Sequence, residues 1–342
     1  MTRKPIRVLV ADDSTTLRTA LCALLSEDPH LSIVGQAADG MEAVEKARAL
    51  RPDVITMDVN MPRLDGLGAT AAIMAEAPSR VLVVCSVAED RQLDLSFRAM
   101  AAGALELIEK PGAGEAALRR WGKRVAESVR LMAEVPVVRR AQPHAAPPKV
   151  GAHLPIEAMG IVASTGGPPA LAKILSDLPP SMRLTLLVAQ HIAEGFTAGL
   201  VRWFSGITRL TVSIAQSGQR AKPAHVYLPP DGHDLELDRF GMLRTPRSTG
   251  LHCPSGNRLL QSLAKGYGPK AAGLVLTGMG DDGAQGLLAL HNAGGITFAQ
   301  DEATSVVFGM PHAALACGAT KSQIALESVA AVIQELCKND EP

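Results

Sequence analysis

The sequence predicts two α/β domains in series, each built on a mostly parallel sheet with helices on both faces. Three observations carry this. The chain has 342 residues, 47% of them hydrophobic, which is more than one ordinary core uses and enough for two. Short apolar runs alternate with amphipathic stretches of helix length through both halves. Between the halves, residues 131–155 (LMAEVPVVRRAQPHAAPPKVGAHLP) lose their periodicity, repeat proline and gather basic residues beside a Pro-Pro pair, the composition of a semi-rigid linker. The expected division is a first domain over 1–130, a linker over 131–155 and a second domain over 156–342.

In the first domain the strands are read at Arg7–Ala11, Ser32–Ala37, Asp53–Met57, Arg80–Cys85 and Leu105–Glu109, with helical patterns in the gaps. Runs that are apolar throughout belong to a sheet covered on both faces. Five such βα units make a flavodoxin-like doubly wound domain, whose function is expected at the carboxyl ends of the strands. In the second domain the strands are read at Met159–Ala163, Leu184–Ala189, His225–Leu228, Gly273–Leu276 and Ile296–Ala299. The stretch Asp234–Thr245 alternates around a glycine-containing turn and predicts an antiparallel hairpin appended to that sheet.

Bulk properties exclude several classes. Lys+Arg and Asp+Glu each total 34, so net charge gives no reason to expect nucleic acid or an anionic membrane as a partner. The apolar run within Met1–Val10 is too short for a signal-peptide core and no later stretch approaches a membrane span, so a soluble cytoplasmic protein without membrane insertion is expected. Five cysteines, at 22, 85, 253, 317 and 337, show no CxxC spacing and read as buried small hydrophobes in a reducing compartment. His225, His233, His252 and His312 show no metal-ligand spacing and read as ordinary polar or cleft residues.

The expected strand ends of the first domain collect chemistry. Asp12 and Asp13 end the first strand, Asp58 ends the third, Ser86 follows the fourth, and Lys110 follows the fifth. Three carboxylates at one sheet edge repel one another unless a hard divalent cation joins them. Mg²⁺ suits carboxylates and carbonyls, and the backbone carbonyl of Asn60 completes the expected ligands; Mn²⁺ is not sharply discriminated by such a set. With the metal and Lys110 neutralising charge, Asp58 is placed to attack a phosphoryl donor, with Ser86 bonding the phosphoryl oxygens. This constellation, with MDVNMPRLDG after the third strand, closely resembles the receiver domains of two-component response regulators. One position departs from their pattern: Leu107 stands three residues before the lysine, where receivers often carry an aromatic switch.

In the second domain, GIVASTGGP reads as a strand ending in Ser164, followed by a sharp turn into a helix begun by proline. The first amides of that helix are expected to point toward an oxyanion formed nearby. Alone, STGG reads equally as a phosphate-binding loop or a capped turn. A later strand, LTLLVAQ, ends in His191, and AGLVLTGMG runs into Asp281-Asp282-Gly283. A serine hydroxyl needs a neutral imidazole to take its proton and a carboxylate to hold that imidazole, and all three types meet at one expected sheet edge.

With ASTGGP, AQHIAEGFT, YLPPDGHDLEL, LTGMGDDGAQGL and AQDEATSVVFGMP spread over it, the carboxyl half closely resembles the chemotaxis protein-glutamate methylesterases, the CheB family. The resemblance implies Ser164 as nucleophile, His191 as general base and acid, and Asp282, not Asp281, as the orienting carboxylate. It also implies oxyanion stabilisation near Met279 and a supporting role for Thr165. The activity implied is hydrolysis of glutamate methyl esters on methyl-accepting chemotaxis receptors, releasing methanol without a cofactor, with deamidation of receptor glutamines as a second reaction. A chemotaxis histidine kinase is the implied phosphoryl donor, and phosphorylation of the receiver the implied activator. Two departures, His312 in GMPHAA and Cys253–Asn257 in place of a P-S-V-D segment, are expected to affect receptor preference and to lie away from the triad. Two other readings compete. One is a response regulator with a non-catalytic output domain that binds protein or DNA: no helix-turn-helix or basic stripe supports DNA, and convergence of Ser164, His191 and Asp282 in space is what would discriminate against the reading as a whole. A dinucleotide-binding oxidoreductase lacks its glycine fingerprint.

Overall fold

The structure is a computed structural model that describes residues 4–86, 90–135 and 154–338. The chain divides into two compact units, Met1–Arg139 and Arg140–Pro342. Most of the expected linker, residues 136–153, lies outside the described residues.

The first unit runs β1 (Ile6–Ala11), α1 (Thr15–Ser26), β2 (Leu31–Ala37), α2 (Gly40–Leu50), β3 (Val54–Asp58), α3 (Gly66–Glu76), β4 (Arg80–Cys85), α4 (Asp90–Ala101), β5 (Glu106–Glu109) and α5 (Glu115–Glu134). The strands pair in parallel in the order β2-β1-β3-β4-β5. Polar side chains start the helices: Ser14, Asp39 and Asp65 accept from the amides of Leu17, Glu42 and Gly68, meeting donors that a helix start leaves unpaired. Val8, Leu9, Ile55, Leu82, Phe97, Ile108 and Val125 are fully buried between the layers. Strand order reverses between β1 and β3, and in doubly wound sheets the functional crevice lies at the carboxyl end of that reversal. Gly66 is required there, since a Cβ would run into the Asp58 carbonyl.

The second unit runs β6 (Ala158–Ala163), α6 (Gly167–Asp177), β7 (Thr185–Gln190), α7 (Thr197–Ile207), β8 (Thr211–Ile214), β9 (His225–Leu228), β10 (Glu236–Leu237), β11 (Leu243–Arg244), α8 (Gly256–Gly266), β12 (Ala271–Val275), α9 (Ala284–Asn292), β13 (Ile296–Gln300), α10 (Met310–Ala316), β14 (Gln323–Ile324) and α11 (Leu326–Leu336). Seven parallel strands pair in the order β14-β13-β12-β6-β7-β9-β8. The expected hairpin forms as β10-β11, but as a separate two-stranded sheet and not an extension of the main one. Leu235, Leu237 and Leu243 are buried in the core, so the hairpin packs through its side chains. Reversal of strand order between β6 and β12 opens the second crevice, bordered by β7. No helix among the described residues is long and apolar enough to cross a membrane.

Candidate functional site

At the carboxyl edge of the second sheet, Ser164 directly follows β6 and His191 directly follows β7. Asp282 lies in the loop between β12 and α9, seven residues beyond the strand that was expected to carry it. Because β12, β6 and β7 are neighbours, the three residues come to one place.

Asp282 is 1% exposed. Its Oδ2 lies 2.8 Å from His191 Nε2 and accepts from the Gly256 amide at 2.6 Å; its Oδ1 accepts from the Asn257 amide at 3.0 Å and the Ser255 hydroxyl at 3.4 Å. Burial alone raises this carboxyl; the hydrogen bonds from His191, Gly256 and Asn257 outweigh it and hold Asp282 below the usual carboxylate range. An ionised carboxylate only accepts. His191 therefore carries its proton on Nε2, which leaves Nδ1 as the basic nitrogen. Asp281 is exposed.

One expectation is corrected here. Cys253–Asn257 does not lie away from the expected triad residues: Ser255 caps α8, and the first amides of that helix hold the Asp282 carboxylate, so helix start and buried anion satisfy each other. Val162 fills the space where a Gly256 side chain would go, so only glycine lets the helix start approach so closely. Of the two readings open for His252, ordinary polar or cleft residue, its position against His191 fits the second. Its ring stacks on His191 with centroids 5.1 Å apart and planes 8° from parallel. Sequence spacing carries no signal for either contact.

Ser164 is half-buried and held by its backbone. Its amide donates to Thr277 O at 3.0 Å, and its carbonyl accepts from the Gly167 amide at 2.8 Å and Gln190 Nε2 at 2.9 Å. Gly166, at φ 74°, makes the left-handed turn that glycine permits. A Cβ on Gly278 would sit 2.7 Å from Ser164 Cβ, so this glycine sets how near the next loop comes. The Ser164 hydroxyl forms no hydrogen bond among the described residues.

The first amides of α6 do not form the expected anion cradle. Pro168 and Pro169 open that helix and have no N–H, while the Gly167 amide already donates to Ser164. Among the described residues, the amides of Thr165 and Met279 donate to no acceptor, and Met279 is 48% exposed. Gly278, just before Met279, is braced by the AQDEATSVVFGMP segment: its amide donates to Val307 O, and its carbonyl accepts from Gly309 and Met310. Thr277 Oγ1 donates to Thr165 O at 2.9 Å, joining the two loops.

In the first unit, Asp12 and Asp13 follow β1, Asp58 ends β3, Ser86 follows β4 and Lys110 follows β5. Ligand oxygens of Asp12, Asp13 and Asp58 lie within 4.8 Å of one another. Lys110 Nζ is 2.7 Å from Asp58 Oδ2 and 3.5 Å from Asp12 Oδ2. Asp58 is 2% exposed; burial, with the charge of Asp12 beside it, pushes its carboxyl up to about 6 against the pull of Lys110. Burial also raises Asp12. One ammonium leaves this acidic group short of neutral, which is the charge a divalent cation supplies. Asn60 is exposed at the same edge, and its amide lies 3.4 Å from Asp58 Oδ1. Leu107 is buried in β5.

Residues 159–333 match the family model described as CheB methylesterase, and residues 8–120 the one described as response regulator receiver domain. Protein-glutamate methylesterase/protein-glutamine glutaminase 3 of Myxococcus xanthus (strain DK1622) is 57% identical over 98% of this chain and 95% of its own length. Protein-glutamate methylesterase/protein-glutamine glutaminase 2 of Anaeromyxobacter dehalogenans (strain 2CP-C) is 41% identical over 98% of each chain. Among solved structures, the Thermotoga maritima CheB methylesterase catalytic domain superposes with a TM-score of 0.51 at 31% identity, covering 54% of this chain and 100% of that one.

Proposed function

The chain belongs to the CheB methylesterase family, and from that premise we propose that it hydrolyses glutamate methyl esters and deamidates glutamines on methyl-accepting chemotaxis receptors in the cytoplasm, activated by phosphorylation of its receiver domain. Residues 1–130 are the receiver, 131–155 the linker and 156–342 the catalytic domain. The observation that carries the reading is the buried, four-times hydrogen-bonded Asp282 holding His191 beside the turn that presents Ser164. A non-catalytic output domain has no use for such an imidazole–carboxylate pair.

Ser164 Oγ attacks the side-chain carbonyl carbon of the glutamyl ester as its proton passes to His191 Nδ1. The imidazolium that forms is stabilised through Nε2–H by Asp282, which stays ionised. The Thr165 and Met279 amides are the donors in place for the oxyanion. Collapse of the tetrahedral intermediate breaks the bond to methoxide, which leaves as methanol with the proton from Nδ1. Water, deprotonated by the same nitrogen, then hydrolyses the acyl-enzyme. For a glutamine substrate the leaving group is ammonia, and proton delivery by His191 matters more. Engagement of the Ser164 hydroxyl with Nδ1 belongs to the substrate complex, where catalytic hydrogen bonds commonly tighten.

In the receiver, Asp58 is the phosphoryl acceptor and a chemotaxis histidine kinase the donor. Asp12, Asp13, Asp58 and the Asn60 carbonyl would hold Mg²⁺, which when bound offsets the negative charge of the acceptor and the incoming phosphoryl group. Lys110 supplies a second positive charge to the phosphoryl oxygens, and Ser86 a hydroxyl.

The test is methanol release from methylated receptor membranes, with and without a small-molecule phosphodonor and Mg²⁺. The wild-type chain is expected to release methanol faster with phosphodonor, and Asp58→Asn to lose that increment, since an amide cannot take the phosphoryl group. An increment that survives in Asp58→Asn places activation elsewhere. Gly278→Ala, which forces a methyl group against Ser164, is expected to lower kcat by about 10- to 100-fold. Unchanged turnover in that variant would show that the Met279 loop does not need its present approach.

A further inference from the structure

Gln190, the last residue of β7, stands outside the three residues assigned to the chemistry and is 3% exposed. Its Nε2 donates to Ser164 O at 2.9 Å and to His191 O at 2.8 Å. Two carbonyl oxygens on one side of the amide can be met only by its NH₂ end, so the orientation of the group is fixed by chemistry. The ladder between β6 and β7 ends at the pair Ala163–Gln190. Beyond it the chain separates into the nucleophile loop and the base loop, and the Gln190 side chain continues the connection one residue further, between the two catalytic residues themselves.

A second observation argues against a role in stability alone. Gln190 Oε1 is buried without a hydrogen-bond partner and packs against Gly167, where a Cβ would collide with it. A buried amide with one end unpaired is a poor stabilising choice beside an apolar side chain of the same shape. The NH₂ end, in contrast, does what no apolar side chain can: one nitrogen sets the distance between the carbonyl of the nucleophile and the carbonyl of the base.

We propose that Gln190 is a positioning residue that fixes Ser164 relative to His191 through their backbone carbonyls, so that proton transfer from Oγ to Nδ1 requires no rearrangement of either loop. The proposal rests on the triad reading above. It touches neither substrate nor reacting atoms, so its removal is felt in turnover and not in receptor binding.

The experiment compares Gln190→Met and Gln190→Glu with the wild-type chain, all full-length and activated with phosphodonor and Mg²⁺, measuring kcat and KM for methanol release together with thermal unfolding. Gln190→Met keeps the shape and removes both donors; kcat is expected to fall about 10- to 100-fold, the scale of a small misplacement of reacting groups, with KM within about twofold and cooperative unfolding retained. Gln190→Glu offers one donor when protonated and none when ionised. Its kcat relative to wild type at the same pH is therefore expected to decline as pH rises, a signature that loss of packing does not produce. Turnover within about twofold of wild type in Gln190→Met overturns the proposal. So does loss of cooperative unfolding in both variants, or a pH-independent ratio for Gln190→Glu, since either makes Gln190 a structural residue. A wild-type chain that releases no methanol overturns the triad reading and this one with it, and the parallel measurement separates that case from failure of Gln190 alone.

Discussion

Ser164→Ala is expected to lower methanol release from methylated receptor membranes by at least about 10³-fold, with and without phosphodonor. The substitution removes one oxygen and nothing else on which the fold depends. The amide of Ser164 still donates to Thr277, its carbonyl still accepts from Gly167 and Gln190, and the Cβ that packs against Gly278 is kept. The hydroxyl itself bonds to no group among the described residues, so unfolding is expected to stay within about 0.5 kcal/mol of wild type. What is lost is the acyl-enzyme route: without Oγ, ester cleavage falls to direct attack by water, which the site was not shaped to position. Phosphodonor is expected to leave that residue of activity unchanged, because relief of inhibition cannot restore a missing nucleophile. An alanine variant that retains wild-type turnover would remove Ser164 from the reaction and return the STGG turn to a structural role.

How far this site was legible in the sequence follows from the range of the interactions that build it. Each of Ser164, His191 and Asp282 stands in a glycine-bearing or strand-terminal motif, so local pattern placed each near a sheet edge. Parallel pairing of β12, β6 and β7 then joined the three edges. The groups that hold them were less visible. The cradle of Asp282 comes from the start of α8, some 25 residues earlier in the chain, and no periodicity links Gly256 and Asn257 to a carboxylate that far away. The stack of His252 on His191 is likewise a contact between loops, and the double tie from Gln190 is made by a side chain at a strand end; neither carries a repeat. The missing amides of α6 are a different case. Pro168 and Pro169 were in plain view, and the absent N–H of proline was sufficient to discount that helix start as an oxyanion site. In the fold, the unpredicted strands are β8 and β14. Both are edge strands, the first with one buried residue in four and the second only two residues long, so neither has the continuous apolar run by which the central strands were read.

Asp282→Asn is expected to fold and to lose about 10⁴-fold in kcat. The carboxylate meets four donors with two oxygens: His191 Nε2, the Gly256 and Asn257 amides, and the Ser255 hydroxyl. Asparagine has one oxygen. If it takes the Oδ1 place, beside the Asn257 amide and the Ser255 hydroxyl, its NH₂ faces His191 and the Gly256 amide and demands that Nε2 accept, which moves the ring proton to Nδ1 and leaves no base for Ser164. If instead the oxygen takes the Oδ2 place, facing His191 and the Gly256 amide, the NH₂ meets the Asn257 N–H, which also donates, and that amide of α8 loses its acceptor. The buried charge compensation is lost either way, at about 3 kcal/mol. The pH dependence follows in sign. The folded carboxyl lies below its ordinary value, so its contribution to stability is complete above the unfolded value of about 3.9 and is lost as pH falls through the folded one. The stability gap between wild type and Asp282→Asn is therefore expected to be full at neutral pH and to narrow below about pH 4, as read by chemical denaturation across that range. A variant that keeps wild-type turnover would free His191 from its carboxylate. One whose stability gap stays constant into acid would show that Asp282 holds the site together by shape and not by charge.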